Sequence, residues 1–274
     1  MKGVDVDKIG TLVDGKPTIF VSVASYRDHR CTGTVESLFE RALHPQRVFV
    51  GAVPACYFLP FTGSCAEMPY QTLCKYANQI RVHMVQAEGS LGPTFGRHRA
   101  DRLYRGETYA MQVDAHSTML KHWDDEGISQ HTKTGNDMAV LTNYPSDQTT
   151  PMMCASHFEG EMLRYSFNPP RFLGSPVLQP FWGAGASFSK GHRLVRVPYD
   201  CCLSMLFTGE EISMAMRMWT NGYDLYTFHH SIIYHQYGGG KRPPMFWENS
   251  GSHSNDAQRS VNRIKKLVMC PPCC

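Results

Sequence analysis

No run of about 18 apolar residues occurs in this 274-residue sequence, so nothing in it is long enough to cross a membrane as a helix. The opening residues, Met1 to Asp7, are charged and lack the apolar stretch of an export signal. No asparagine is followed two positions on by serine or threonine, so the N-glycosylation signature is missing as well. Basic clusters are also absent. The formal charge is +3, from 27 Lys and Arg against 24 Asp and Glu, which gives no reason to expect nucleic acid or a membrane surface as a partner. There is no internal repeat and no low-complexity tract. The 10 cysteines do not recur at a fixed spacing, so reduced thiols and a cytoplasmic location are the expectation. The terminal Cys270-Pro271-Pro272-Cys273-Cys274 lacks a second pair at zinc-binding spacing and reads as a disordered end.

What is present is enough for a large core: 42% hydrophobic residues, in a length that suits one α/β domain. Residues 18–24 form a continuous β-branched and apolar run, and Val35, Leu38, Phe39 and Ala42 follow at helical spacing. Pro45 closes that helix before a second apolar strand over residues 47–53, a parallel β-α-β unit. Residues 54–78 have no period, and a strand is expected at 79–85. A helix over 94–105 carries Arg97, whose position near the helix start suits a phosphate as well as a solvated face. Further elements are expected as a strand ending in Asp114, a helix around 120–124 and a strand over 138–145.

The second half reads differently. Residues 146–180 give no element, and the small residues of 181–188 allow close backbone approach, as an acceptor-binding loop requires. Thr208 is a candidate cap for a helix with Ile212, Ala215, Met216 and Trp219 as its apolar stripe, ended by Asn221-Gly222. Its first turn holds Glu210 and Glu211, which suit the helix dipole and equally a substrate hydroxyl. A strand over 223–226 leads to His229, His230 and His235, residues 245–248 suit a lid, and 256–267 a closing helix.

Asp114 and His116 stand two apart at a strand's carboxyl end, where ligand crevices form in α/β sheets. Such a pair can hold a divalent cation beside a phosphate, or be a capping Asp and a rim His. The order of Asp-x-His, a Gly-Glu-Glu helix start and a later His resembles that of the polypeptide GalNAc-transferases of GT-A fold. The segments FVSVASYRD (20–28), GPTFGR (92–97), YRGETYAMQVDAH (104–116), VLTNYP (140–145), VPYD (197–200), LFTGEEISMAMRMWTNGYDLYTF (206–228) and RPPMFWE (242–248) resemble glycosyltransferase family 60 more closely. Ala115 departs from the serine usual between the Asp and the His, and the start of the loop over 54–71 is not Gln-rich.

The resemblance implies an α/β GT-A fold, a Rossmann-like mixed sheet flanked by helices, as a single domain over 1–274. Residues 18–145 would be its nucleotide-sugar half, 146–248 its acceptor and catalytic half, and 249–274 a terminal helix and tail. It implies metal-dependent, retaining transfer of N-acetylglucosamine from UDP-GlcNAc to a protein hydroxyl. Hydroxyproline is the favoured acceptor, on a partner such as a ubiquitin-ligase adaptor subunit. A Ser/Thr-directed transferase and a UDP-sugar-binding module without turnover are the alternatives. By position, Asp114, His116 and His235 would hold Mn²⁺. Ser25, Tyr26 and Arg27 would line the uridine pocket, and Arg97 would approach the diphosphate or hold Asp114. Glu210 and Glu211 would position the donor sugar and the acceptor, with Trp182 in the loop under the sugar. His229 and His230 are left a structural role.

Overall fold

An eight-stranded mixed sheet carries the site. The structure, a computed structural model, describes residues 10–54, 71–145, 151–167, 173–237, 244–249 and 254–268. The sheet's centre is β1 (Ile19–Ser25), flanked by β2 (Val48–Pro54) and β4 (Tyr109–Asp114), both parallel to it. Each is an almost unbroken apolar run because each is covered on both faces. The crossover helix α1 (Cys31–Glu40) buries Val35, Leu38 and Phe39. On the sheet, a Cβ at Gly51 of β2 would overlap the ring of Phe20, so that position is restricted to glycine. β3 (Ile80–Val82) forms one edge and is shorter than its apolar run suggested.

Beyond β4 the topology changes. β10 (Ala186–Lys190) runs antiparallel between β4 and β6 (Ala139–Asn143), and β11 (Asp224–Thr227) and β9 (Val177–Leu178) complete the other edge. A second ribbon pairs β5 (Ser117–Met119) with β12 (Ile233–His235). Its register sets His235 opposite Ser117, one residue after His116. Between them α3 spans Trp123–Lys133, starting where the sequence pattern suggested a helix but running a further two turns.

Several expectations need correction. α2 (Pro93–Asp101) ends before Arg105, the chain turning after Arg102. The stretch read as structureless contains a hairpin, β7 (Met153–Glu159) with β8 (Met162–Phe167); after Met153 every β7 residue is exposed, so no buried face marks it in the sequence. α4 (Glu210–Thr220) is capped not by Thr208 but by Gly209, at φ 113°, where a Cβ would sit 2.9 Å from the Met162 sulfur. Trp219 is 69% exposed, and the buried stripe is Ile212, Met214, Ala215 and Met218. α5 (Ser254–Val268) matches the expected closing helix. Cys74 is disulfide-bonded, which departs from the expectation of reduced thiols. Among the described residues no helix is long and apolar enough to cross a membrane. The tail over residues 270–274 lies outside the described residues, and so do parts of residues 54–78 and the start of the 242–248 segment.

Candidate active site

The site forms where β1 and β4 end. Ala24 of β1 pairs with Asp114, the last residue of β4, and the chain then turns through Ala115 to His116. His235 comes back to this point on β12, with its Nε2 3.1 Å from Asp114 Oδ2 and its ring 4.4 Å from that of His116, edge to face. One donor atom from each of Asp114, His116 and His235 lies within 4.8 Å of the other two. The Nδ1 of His235 has no partner among the described residues. Gly185 leaves room beside the carboxylate, since a Cβ there would lie 3.4 Å from Asp114 Oδ2.

Two supports fix this cluster. Arg97, on the second turn of α2 and only 7% exposed, donates to Asp114 Oδ1 through one terminal nitrogen and to Glu210 Oε1 through the other. Burial by itself would raise the Asp114 carboxyl, but the Arg97 guanidinium, the His235 hydrogen bond and the neighbouring imidazoles hold it well below the usual carboxylate range. The second support, Asp28, is one the sequence reading did not single out. Its Oδ2 is 3.1 Å from His116 Nδ1, and Arg30 grips both of its oxygens at 2.8 and 2.9 Å. Burial opposes the charge on Asp28, but the His116 and Arg30 hydrogen bonds outweigh it and keep the carboxyl ionised. With Nδ1 so occupied, His116 presents Nε2 to a ligand. The sequence signal for Asp28 was its place at the end of the 20–28 segment.

Ser25, Tyr26 and Arg27 follow β1 at the same rim; Ser25 is buried, Arg27 exposed at φ 49°. The far wall is the start of α4. Glu210 is buried, and Tyr199 Oη lies 2.8 Å from its Oε1 and 2.9 Å from Gln112 Oε1. Glu211 accepts a hydrogen bond from Tyr144 Oη and another, at 2.9 Å, from the Ala184 N–H. Burial pushes the Glu211 carboxyl up to about 7, against the pull of those two bonds. Beside it Tyr165 stacks on Phe181, with ring centroids 4.2 Å apart, and its buried hydroxyl has no partner among the described residues.

Trp182 is not available to a sugar. It has 0% exposure, donates its indole N–H to Ser187 Oγ at 2.9 Å and packs with Met214, Met218 and Tyr199 beneath α4. The loop surface at this point belongs to Gly183, Ala184 and Gly185. His229 and His230 sit against α3: Gln130 bonds their backbone and Glu126 Oε1 lies 3.0 Å from His230 Nε2.

The chain matches the family described as Glycosyltransferase (GlcNAc) over residues 18–58 and 55–272. It belongs to that family. No curated protein matches it. Among solved structures, GalNAc-T7 with UDP, GalNAc and Mn²⁺ superposes with a TM-score of 0.65 at 14% identity, covering 92% of this chain and 48% of that one. TarS 1-349 of S. aureus in complex with UDP-GlcNAc gives a TM-score of 0.54 at 16% identity, covering 91% of this chain and 66% of that one. At these identities the likeness is one of fold, and the fold is GT-A. This glycosyltransferase chain spans about half the length of the GalNAc-T7 chain it matches.

Proposed function

We propose that this glycosyltransferase transfers N-acetylglucosamine from UDP-GlcNAc to a protein hydroxyl, with retention and with Mn²⁺ as cofactor, hydroxyproline being the favoured acceptor. The observation that carries the reading is the convergence of Asp114, His116 and His235, distant in sequence, onto one point at the carboxyl ends of the parallel strands. One carboxylate and two imidazoles suit a borderline divalent ion such as Mn²⁺. The ion, when bound, supplies positive charge to the leaving diphosphate. The family membership supports the donor, and the GT-A neighbours solved with UDP or a UDP-sugar support the pocket.

The chain's own residues position and neutralise. Asp28 orients His116, and Arg97 orients Asp114 rather than standing free for a phosphate, since carboxylates engage both of its terminal nitrogens. A double displacement would need an unencumbered carboxylate under the sugar. Glu210 is bound by Arg97 and Tyr199, and Glu211 is held by two donors and half-protonated near neutrality. Neither is a good nucleophile. Attack from the leaving-group face is the better fit: the bond from the anomeric carbon to phosphate breaks, that to the acceptor oxygen forms, and the acceptor proton passes to the departing phosphate. Catalysis then rests on orientation and charge. Ser25, Tyr26 and Arg27 are assigned to the uridine pocket, and Glu210 and Glu211 to positioning the sugar and acceptor.

UDP release from UDP-GlcNAc, UDP-GalNAc and UDP-glucose, with and without Mn²⁺, tests the donor and the metal together. Peptides bearing hydroxyproline or Ser/Thr test the acceptor. Wild type is expected to turn over UDP-GlcNAc only with metal and Asp114→Ala not at all. Equal activity in the variant, or turnover in chelator, refutes the reading.

A further inference from the structure

Outside the active site the chain places two adjacent thiols on its surface. Cys201 and Cys202 are both exposed and both free, in the turn that follows Tyr199 and Asp200. Their sulfurs lie 3.7 Å apart, and a carboxylate oxygen of Asp200 is within 4.8 Å of each. We propose that Asp200, Cys201 and Cys202 form a second metal site, one for a thiophilic divalent ion of the Zn²⁺ class.

The geometry is that of a dithiolate chelate. Two sulfurs each about 2.3 Å from a tetrahedral zinc ion stand about 3.8 Å from one another. The observed separation therefore needs almost no rearrangement to become the bite of the chelate, and it is far too long for a disulfide. The carboxylate is already fixed. Asp200 Oδ2 accepts from Arg263 Nε at 2.7 Å, and Oδ1 accepts from the Cys202 N–H at 2.9 Å, while Asp200 itself is 8% exposed. An oxygen with one such bond keeps a lone pair for an ion.

Charge is consistent as well. Each sulfur–metal bond replaces a sulfur–hydrogen bond, the two protons passing to solvent. Two thiolates, one carboxylate and a divalent ion leave a single negative charge, and Arg263, with Arg217 at 3.9 Å from Asp200, stands beside it. Cys201 also borders an open cavity of about 490 Å³, so an ion reaches the thiols directly from solvent. The donor set differs from that of the active-site cluster: two soft sulfurs select zinc-like ions, whereas Asp114, His116 and His235 offer harder donors.

Cobalt(II) distinguishes the two sites, because only thiolate ligation gives an intense near-ultraviolet charge-transfer band. Titration of the full chain is expected to develop that band with one equivalent of Co²⁺ and to lose it when Zn²⁺ is added. The paired variant C201S/C202S should abolish the band and leave UDP release unchanged. D200N, which removes the charged oxygen ligand, should weaken Co²⁺ binding. Cys270→Ser, Cys273→Ser and Cys274→Ser together should leave the band intact. The proposal is overturned by a wild type without the band, by a band that survives C201S/C202S, or by its loss in the tail variant.

Discussion

Glu211 offers a test that needs no substrate. Its carboxyl ionises at about 7 in the folded chain against a reference of 4.5, because burial and the charge of Glu210 outweigh the hydrogen bonds from Tyr144 and Ala184. The folded state thus holds a proton that the unfolded state releases, and its stability falls as pH rises from about 4.5 to about 7. At pH 8 the accumulated loss from this one group is about 3 kcal/mol. Glu211→Gln keeps the shape and can keep both bonds, its amide oxygen accepting from the Ala184 N–H and its amide nitrogen donating to Tyr144 Oη. The variant should match wild type near pH 4 and exceed it by about 3 kcal/mol at pH 8. Urea unfolding in chelator across that range measures the difference, in which all other titrations cancel. A difference that does not change with pH, or that favours wild type at pH 8, refutes the account of a carboxyl held against its charge.

Trp182→Ala empties a site with no exposure and should cost about 3 to 5 kcal/mol in urea unfolding, whereas Trp219→Ala, on the exposed side of the same region, should change stability by less than about 0.5 kcal/mol. Asp28→Asn removes the partner of His116 Nδ1 and should weaken Mn²⁺ binding by about 10- to 100-fold in isothermal titration, with UDP release recovering at high metal. Gly185→Ala places a methyl 3.4 Å from Asp114 Oδ2 and 3.3 Å from Pro145 Cδ; it should raise the Mn²⁺ concentration for half-maximal activity while costing no more than about 1 kcal/mol in stability.

The first half of the chain, residues 18–145, was legible because its central strands are covered on both faces. β1, β2 and β4 read as apolar runs, and α1 shows a clean stripe, so order and type follow from composition alone. The β7–β8 hairpin left no such trace, since β7 after Met153 faces solvent and carries Cys, His, Phe and Glu without alternation, and β8 buries only Met162 and Tyr165 among its described side chains, three apart rather than at strand spacing. Trp219 was misplaced for a subtler reason. Apolar spacing from Ile212 reaches it at the seventh position, but Glu210 is turned inward to meet Arg97, and the buried face runs from Glu210 through Met214 to Met218. The helix is thus rotated so that Glu210 shares the buried face with Met214 and Met218. The convergence of His235 on Asp114 was suggested only by motif order; its physical basis is the β5–β12 register, which no local pattern encodes.

Arg97 joins the two halves of the site. It bridges Asp114 at the end of β4 and Glu210 at the start of α4, so one buried cation stands between two carboxylates. The trio carries a net negative charge where water is scarce, an arrangement that costs stability unless further positive charge arrives. A divalent ion at Asp114 supplies it. Arg97→Met therefore should do more than remove a contact: it leaves two carboxylates facing each other and should destabilise the chain by about 3 to 5 kcal/mol in chelator. Part of that loss should return when Mn²⁺ is added, because the ion neutralises Asp114 in place of the guanidinium, and the rescue should vanish in Arg97→Met combined with His235→Ala. Thermal unfolding of wild type and both variants, with and without Mn²⁺, measures it. If Mn²⁺ stabilises the single and the double variant equally, the ion is not binding where Asp114 and His235 meet, and the charge argument for the site fails.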